Sequence, residues 1–157
     1  MDFSAFDKQI DTKALQAQVA EAEKNGGTGE YPEVPEGIYM CRLERLELGA
    51  TSPAKGSRPM LRAMFRIIEG EYKKQCLFMN RTIYGTQNDV NMIASAVGFL
   101  KKLEPSEDVG PVIFQSYNQF ADLIDDIMED VDGELEYEVE YDPDAFNSIS
   151  IKDVYEV

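Results

Sequence analysis

Residues 58–83 read RPMLRAMFRIIEGEYKKQCLFMNRTI. From Met60 to Ile68, the apolar residues Leu61, Ala63, Phe65 and Ile67 alternate with Met60, Arg62, Met64, Arg66 and Ile68. Side chains on an extended strand point to opposite faces with period two, so one face is core and the other mixes apolar with basic groups. Glu69 and Gly70 supply a turn, and the run from Lys74 to Ile83 returns as the second arm of a hairpin. The parity of that second arm is open. Leu77, Met79 and Ile83 make the better core set and leave Lys74, Phe78 and Asn80 facing out beside Arg62 and Arg66, whereas the opposite register exposes Arg81.

The same stretch holds most of the positive charge. Between Arg42 and Arg81 stand nine basic residues, Arg42, Arg45, Lys55, Arg58, Arg62, Arg66, Lys73, Lys74 and Arg81, against four glutamates. The remainder of the 157 residues contains six basic and 26 acidic ones, and the whole chain carries −15. Such a charge opposes general adhesion to nucleic acid or anionic lipid, so any partner of that kind must be met locally, at the cationic stretch.

Working outward, the segment before the hairpin, GIYMCRLERLELG from Gly37, starts as a strand with Tyr39, Cys41 and Leu43 on one face. The apolar parity then slips to Leu46 and Leu48, which predicts a bulged or strongly coiled strand serving two halves of a barrel. The loop GATSPAKGSR carries Lys55 and Arg58 into the hairpin. Beyond the hairpin, Val90, Ile93, Val97 and Leu100 fall at helical spacing from about Asn88 to Leu103. A second helix is predicted from about Ser116 to Val131, with Phe120, Leu123, Ile124, Ile127 and Val131 on its core face and Ser116 with Gln119 as a capping box. Its Asp122, Asp125, Asp126, Glu129 and Asp130 read as a solvated face. The run GELEYEVEY then alternates Leu135, Tyr137, Val139 and Tyr141 inward with four glutamates outward. A last strand runs from Ser148 to Tyr155 with Ile149 and Ile151 on one face, after a turn holding Phe146.

Residues 1–36 form an accessory segment. Asp11 caps a helix from about Thr12 to Lys24, and a glycine- and proline-bearing connector follows, which Tyr31 and Val34 are expected to pin to the domain. Residues 37–157 are the domain proper, ordered strand, strand, strand, helix, helix, strand, strand. A mainly β chain of five short strands with a two-helix insertion between the third and fourth is the order of an OB-fold, a Greek-key barrel that binds oligonucleotides on strands two and three and on the adjoining loops. An α+β sandwich with an open antiparallel sheet has the same order.

Composition narrows the function classes. No histidine occurs, which excludes Ser-His, Cys-His and His-metal chemistry. Cys41 and Cys76 lie in strand-like runs without metal-ligand spacing and are expected to be buried free thiols. Pro143, Asp144 and Lys152 bear a distant likeness to a metal-dependent nuclease pattern, yet Ser150 stands where a carboxylate is required. Neither enzyme activity, nor a cofactor, nor a metal is expected. No apolar run reaches the roughly 18 residues of a membrane span, and MDFSAFDKQIDTK has no signal-peptide pattern, so no membrane partner is expected and the chain is placed inside the cell.

Three stretches, MDFSAFD at the start, YPEVPEGIY from Tyr31 and PMLRAMFRIIEGEYKKQCLFMN from Pro59, resemble a family of bacteriophage early-region proteins filed as domain of unknown function 669. The resemblance covers nearly the whole chain. It implies a single-stranded DNA-binding protein of phage replication or recombination, working in the cytoplasm of the infected bacterial host with phage replication or recombination proteins as partners. Many such binders end in a flexible acidic tail, whereas this chain ends IKDVYEV within a strand. The acidic second helix and fourth strand would then replace that tail or repel DNA from the wrong side.

Binding of single-stranded DNA needs cations for phosphates and flat apolar faces for bases. Arg42, Arg62, Arg66 and Arg81 supply guanidinium groups, Lys55, Arg58, Lys73 and Lys74 line the approach, and Phe78 and Phe146 are the stacking candidates. The competing account is that Arg62 and Arg66 pair with glutamates on a neighbouring strand and that Phe78 is a core residue. The alternative function is an acidic interaction protein, one that mimics DNA toward a host or phage protein of replication or defence. An exposed strand edge would permit a homodimer.

Overall fold

Alternation in the five apolar runs produces five antiparallel strands, and helical spacing produces the segments that cover one side of them. The computed structural model describes residues 3–9, 11–24, 33–145 and 148–157, and the chain divides into two compact units, Met1–Glu33 and Val34–Val157. The first holds helices α1 (Ser4–Asp7) and α2 (Thr12–Lys24). Asp11 caps α2 as expected, its Oδ1 accepting from the Ala14 N–H at 3.1 Å, which satisfies one of the donors that a helix start leaves unpaired. Tyr31 lies outside the described residues, and Val34 packs against the core of the second unit.

The second unit contains β1 (Gly37–Ala50), β2 (Pro59–Ile67), β3 (Cys76–Thr82), α3 (Asp89–Lys102), α4 (Tyr117–Val131), β4 (Leu135–Asp142) and β5 (Ser148–Glu156). The sheet order is β3-β2-β1-β4-β5, antiparallel throughout. It is a mixed α/β architecture with an open sheet. β3 and β5 are its edges, and although they approach each other no ladder joins them.

β1 is shared between two ladders. Gly37 to Cys41 pair with β4, and Cys41 to Ala50 pair with β2, so the strand changes neighbours at Cys41. Two residues later the register shifts between Leu43 and Arg45, leaving Glu44 as the extra residue of a bulge. This is the parity slip visible in the sequence: Leu43 and Leu46 both stay buried because Glu44 absorbs the odd residue.

Leu61, Ala63, Phe65, Ile67, Leu77, Met79, Tyr137, Val139, Ile149 and Ile151 line the inner face of the sheet. Phe120, Leu123, Ile124, Ile127 and Val131 of α4 close over it, with Ala96, Phe99 and Leu100 of α3. Phe65 sits at the centre, its ring edge-on to Phe99 and to Tyr137 at 6.3 and 6.1 Å. The Tyr137 hydroxyl, fully buried, donates to the Leu103 carbonyl at 2.7 Å and so satisfies the end of α3. The capping box of α4 is formed as expected between Ser116 and Gln119. In α3 the predicted face holds from Ile93 onward: Leu100 is buried and Ile93 and Val97 pack against the core, joined by Ala96, Phe99 and Leu103, while Val90 in the first turn is 81% exposed. Cys41 is buried, but Cys76 is only half-buried, since it belongs to the outward row of β3.

Candidate nucleic-acid interface

The outward row of β2 is Met60, Arg62, Met64 and Arg66, each paired on both sides. On the β1 side Arg66 faces Arg42, Met64 faces Arg45, and Arg62 faces Glu47. On the β3 side Arg66 faces Cys76, Met64 faces Phe78, and Arg62 faces Asn80. Directly opposed residues of an antiparallel pair share a face, so guanidinium groups, methionines and Phe78 form one surface opposite the helices. Phe78 is 55% exposed. The open question of β3 parity is therefore answered with Leu77, Met79 and Ile83 inward and Phe78 outward.

Two glutamates organise this surface. Glu44 Oε1 accepts from Arg66 Nε at 2.8 Å and from Arg42 at 2.5 Å. Glu47 Oε1 accepts from Arg45 at 2.6 Å and lies 3.7 Å from the Arg62 guanidinium. Arg62 also donates to the Ala50 carbonyl at 2.6 Å, and Arg66 to the Lys74 carbonyl at 2.8 Å. Gly49 leaves room for the Arg62 guanidinium, since a Cβ there would stand 3.1 Å from it and ask it to shift slightly. The pairing with glutamates that sequence reasoning set against a DNA site is thus present. Each carboxylate holds two guanidinium groups, however, so each triad keeps one net positive charge. The hydrogen bond from Arg66 holds the Glu44 carboxyl below its ordinary pKa, with burial opposing and Arg42 assisting. Burial raises the Cys76 thiol, and the nearby Arg66 charge partly offsets it.

The remaining candidates divide by location. Lys55 and Arg58 occupy the β1–β2 loop, which is closed by the Thr51 N–H donating to the Arg58 carbonyl at 2.8 Å and the Arg58 N–H to Thr51 Oγ1 at 2.8 Å. Lys73 and Lys74 are exposed in the β2–β3 turn, with Lys74 at φ 78° and its carbonyl turned toward Arg66. Arg81 is on the other side of the sheet: it shares the inward parity of Met79 and Ile83 and donates to Ser95 Oγ of α3 at 2.6 Å. Burial lowers its pKa. It is not brought together with the other candidates. Phe146 lies outside the described residues. Sequence reasoning left Arg45 out of the site; the bulge at Glu44 puts it beside Met64, and the parity slip was the signal that could have found it.

The other half of the same face differs. On β4 and β5 the outward positions are Glu136, Glu138, Glu140, Ser150, Asp153 and Tyr155, with Lys152 bonded to Glu140 at 2.7 Å. The acidic side of α4 is exposed at Asp122, Asp125, Asp126 and Glu129, but Asp130 accepts from the Ser106 N–H and hydroxyl at 2.6 and 2.5 Å. One of the five supposed solvated carboxylates therefore fastens the loop between the helices. A shallow cleft of about 350 Å³ lies between Ile38 to Met40 and Glu69 to Tyr72. Among the described residues no three His, Cys, Asp or Glu side chains gather as a metal would require, and no helix is long and apolar enough to cross a membrane. No protein-family model, no curated protein and no solved structure matches the chain.

Proposed function

We propose that the chain binds single-stranded DNA without sequence preference through the outward face of β1, β2 and β3. The observation that carries this reading is the exposed Phe78 beside Met64, set between the Arg62–Arg45 and Arg66–Arg42 pairs of guanidinium groups. A base stacked on such a ring contributes roughly 1 to 3 kcal/mol, and arginine can meet phosphate with two parallel hydrogen bonds. The glutamates do not oppose this strongly, since exposed ion pairs are worth only about 0 to 1 kcal/mol and phosphate can replace the carboxylate.

The strand order supports an OB-fold-like reading. The order β3-β2-β1-β4-β5 is that of a five-stranded OB barrel opened between its third and fifth strands, with β1 shared by two ladders and helices inserted before β4. Strands two and three would then carry the ligand, as the arginine and Phe78 rows require. The likeness to the phage family points the same way, toward replication or recombination in the host cytoplasm. A fluorescent oligo-dT titration at several salt concentrations tests the proposal. Affinity should fall steeply with salt and exceed that for duplex of equal length, and binding that ignores salt overturns it.

The carboxylate row on β4 and β5 supports a second reading, an acidic interaction or DNA-mimic protein. Recovery of a defined nuclease or polymerase with the pure chain, together with absent oligonucleotide binding, would favour that reading instead.

A further inference from the structure

The guanidinium groups on the sheet are shared with Glu44 and Glu47, but Arg58 makes no ion pair among the described residues. Its NH1 donates to the Gly85 carbonyl at 2.9 Å, which ties the β1–β2 loop to the segment leaving β3. Asp89, whose carboxyl is held below its ordinary pKa by hydrogen bonds from Thr86 and Gly85 with a smaller contribution from the Arg58 charge, is committed to the Gly85 and Thr86 N–H groups and the Thr86 hydroxyl at 3.0, 2.8 and 2.6 Å. The Ile83 N–H donates to the Pro59 carbonyl, so the residue after it emerges beside Arg58.

That residue is Tyr84. It stands two residues beyond the end of β3, and it is 52% exposed. Its ring is not loose. It stands edge-on to Tyr117 at 5.7 Å, Tyr117 is edge-on to Phe114 at 5.1 Å, and Phe114 meets the buried Phe120 at 5.3 Å. Tyr117 in turn donates its hydroxyl to the Ile83 carbonyl at 2.9 Å. An exposed ring braced by a chain of rings that reaches the core is pre-organised, which reduces the ordering cost of binding.

We infer that Tyr84, with Arg58 tied to the next residue, is a second nucleotide-binding platform, on which a base of the same single strand stacks while Arg58 takes an adjoining phosphate. This rests on the proposed sheet-face function and extends it beyond the strands. Phe78 is on β3 and Tyr84 follows the end of that strand, so a bound strand that reaches both rings runs off the end of β3 and covers several nucleotides, within the range of about 4 to 16 per OB fold.

The chain contains no tryptophan, so Phe78→Trp and Tyr84→Trp each create a single fluorescent reporter. Titration with oligo-dT of twelve or so nucleotides, a length within the range of one OB-fold site, is expected to quench both. Tyr84→Ala should weaken binding about tenfold, while Tyr84→Phe, which keeps the ring, should stay within about twofold of the parent. A quenched Phe78→Trp with a silent Tyr84→Trp and an unaffected Tyr84→Ala overturns the platform and leaves the sheet-face function standing. Absence of binding by the parent chain in the same titration overturns both.

Discussion

The outward face of the sheet has two halves that share one backbone plan and differ in chemistry. On β2 and β3 the outward positions are arginine, methionine, asparagine, Cys76, Thr82 and Phe78, whereas on β4 and β5 they are mostly glutamate and aspartate. Beneath both, apolar residues face the helices, with the buried Phe65 under one half and the buried Tyr137 under the other, ring against ring at 6.1 Å. Packing dictates the inner choice, because a period-two strand must place apolar groups toward the helices. Nothing in packing dictates the outer one. The contrast between the halves is where the sequence is free to encode a partner, and on the proposed function it would direct an anionic chain to one side of β1 and away from the other.

The largest expected effect concerns what the halves have in common. Phe65→Ala removes a ring that touches both Phe99 and Tyr137 and should cost about 3 to 5 kcal/mol in urea unfolding, with one cooperative transition rather than separate loss of either half. A loss below about 1 kcal/mol, or two resolved transitions, would show that the halves do not share a core. Next comes charge reversal. Arg62→Glu with Arg66→Glu should reduce oligo-dT affinity by about 100-fold or more and flatten its salt dependence, whereas Glu138→Lys with Glu136→Lys on the other half should strengthen binding or leave it unchanged. Equal losses from both pairs would erase the distinction. A smaller effect is expected from the exposed rings. Phe78→Ala should weaken binding about tenfold, and Tyr155→Ala, which removes the 43%-exposed ring of the acidic half, should not weaken it. Because both side chains are exposed, the melting temperature should barely change in either variant.

Much of this arrangement was legible because it depends on short-range pattern. The alternation in Met60 to Ile68, the slip between Leu43 and Leu46, the Asp11 cap and the Ser116–Gln119 box are each decided within a few residues of chain, and each is found in the structure. The parity of β3 was legible only as a preference, since Leu77, Met79 and Ile83 win over Arg81 by burial against helices that the strand itself does not contain. What stayed hidden depends on register between distant strands. That Arg66 meets Arg42, and that one glutamate serves both, follows from how the β1–β2 loop closes at Thr51 and Arg58 and from the bulge at Glu44. Whether β3 and β5 join is likewise a property of the whole twist of the sheet. Tyr84 was invisible for the same reason, because its bracing ring Tyr117 is 33 positions later in the chain.

Glu44 gives the smallest and most discriminating effect. Its folded pKa is lowered, chiefly by the hydrogen bond from Arg66, and an unfolded glutamate titrates near 4.3, roughly. A depressed pKa contributes stability that is present above the unfolded value and is lost as pH falls through the folded one. Glu44→Gln should therefore cost at most about 1 kcal/mol at neutral pH, the pair being partly exposed, and should make the acid loss of stability below about pH 4 shallower. The same substitution releases Arg42 and Arg66 from their shared carboxylate, so oligo-dT affinity at neutral pH should rise about threefold. Glu140→Gln, which removes the partner of Lys152 on the other half, should leave affinity within about twofold. If the glutamate merely neutralises the arginines, its loss strengthens DNA binding; if it holds them in the geometry that phosphate needs, its loss weakens binding despite the added charge. Urea unfolding at two pH values and one oligonucleotide titration distinguish these cases, and a weakened Glu44→Gln would recast the carboxylate as a positioning group of the interface rather than a competitor for it.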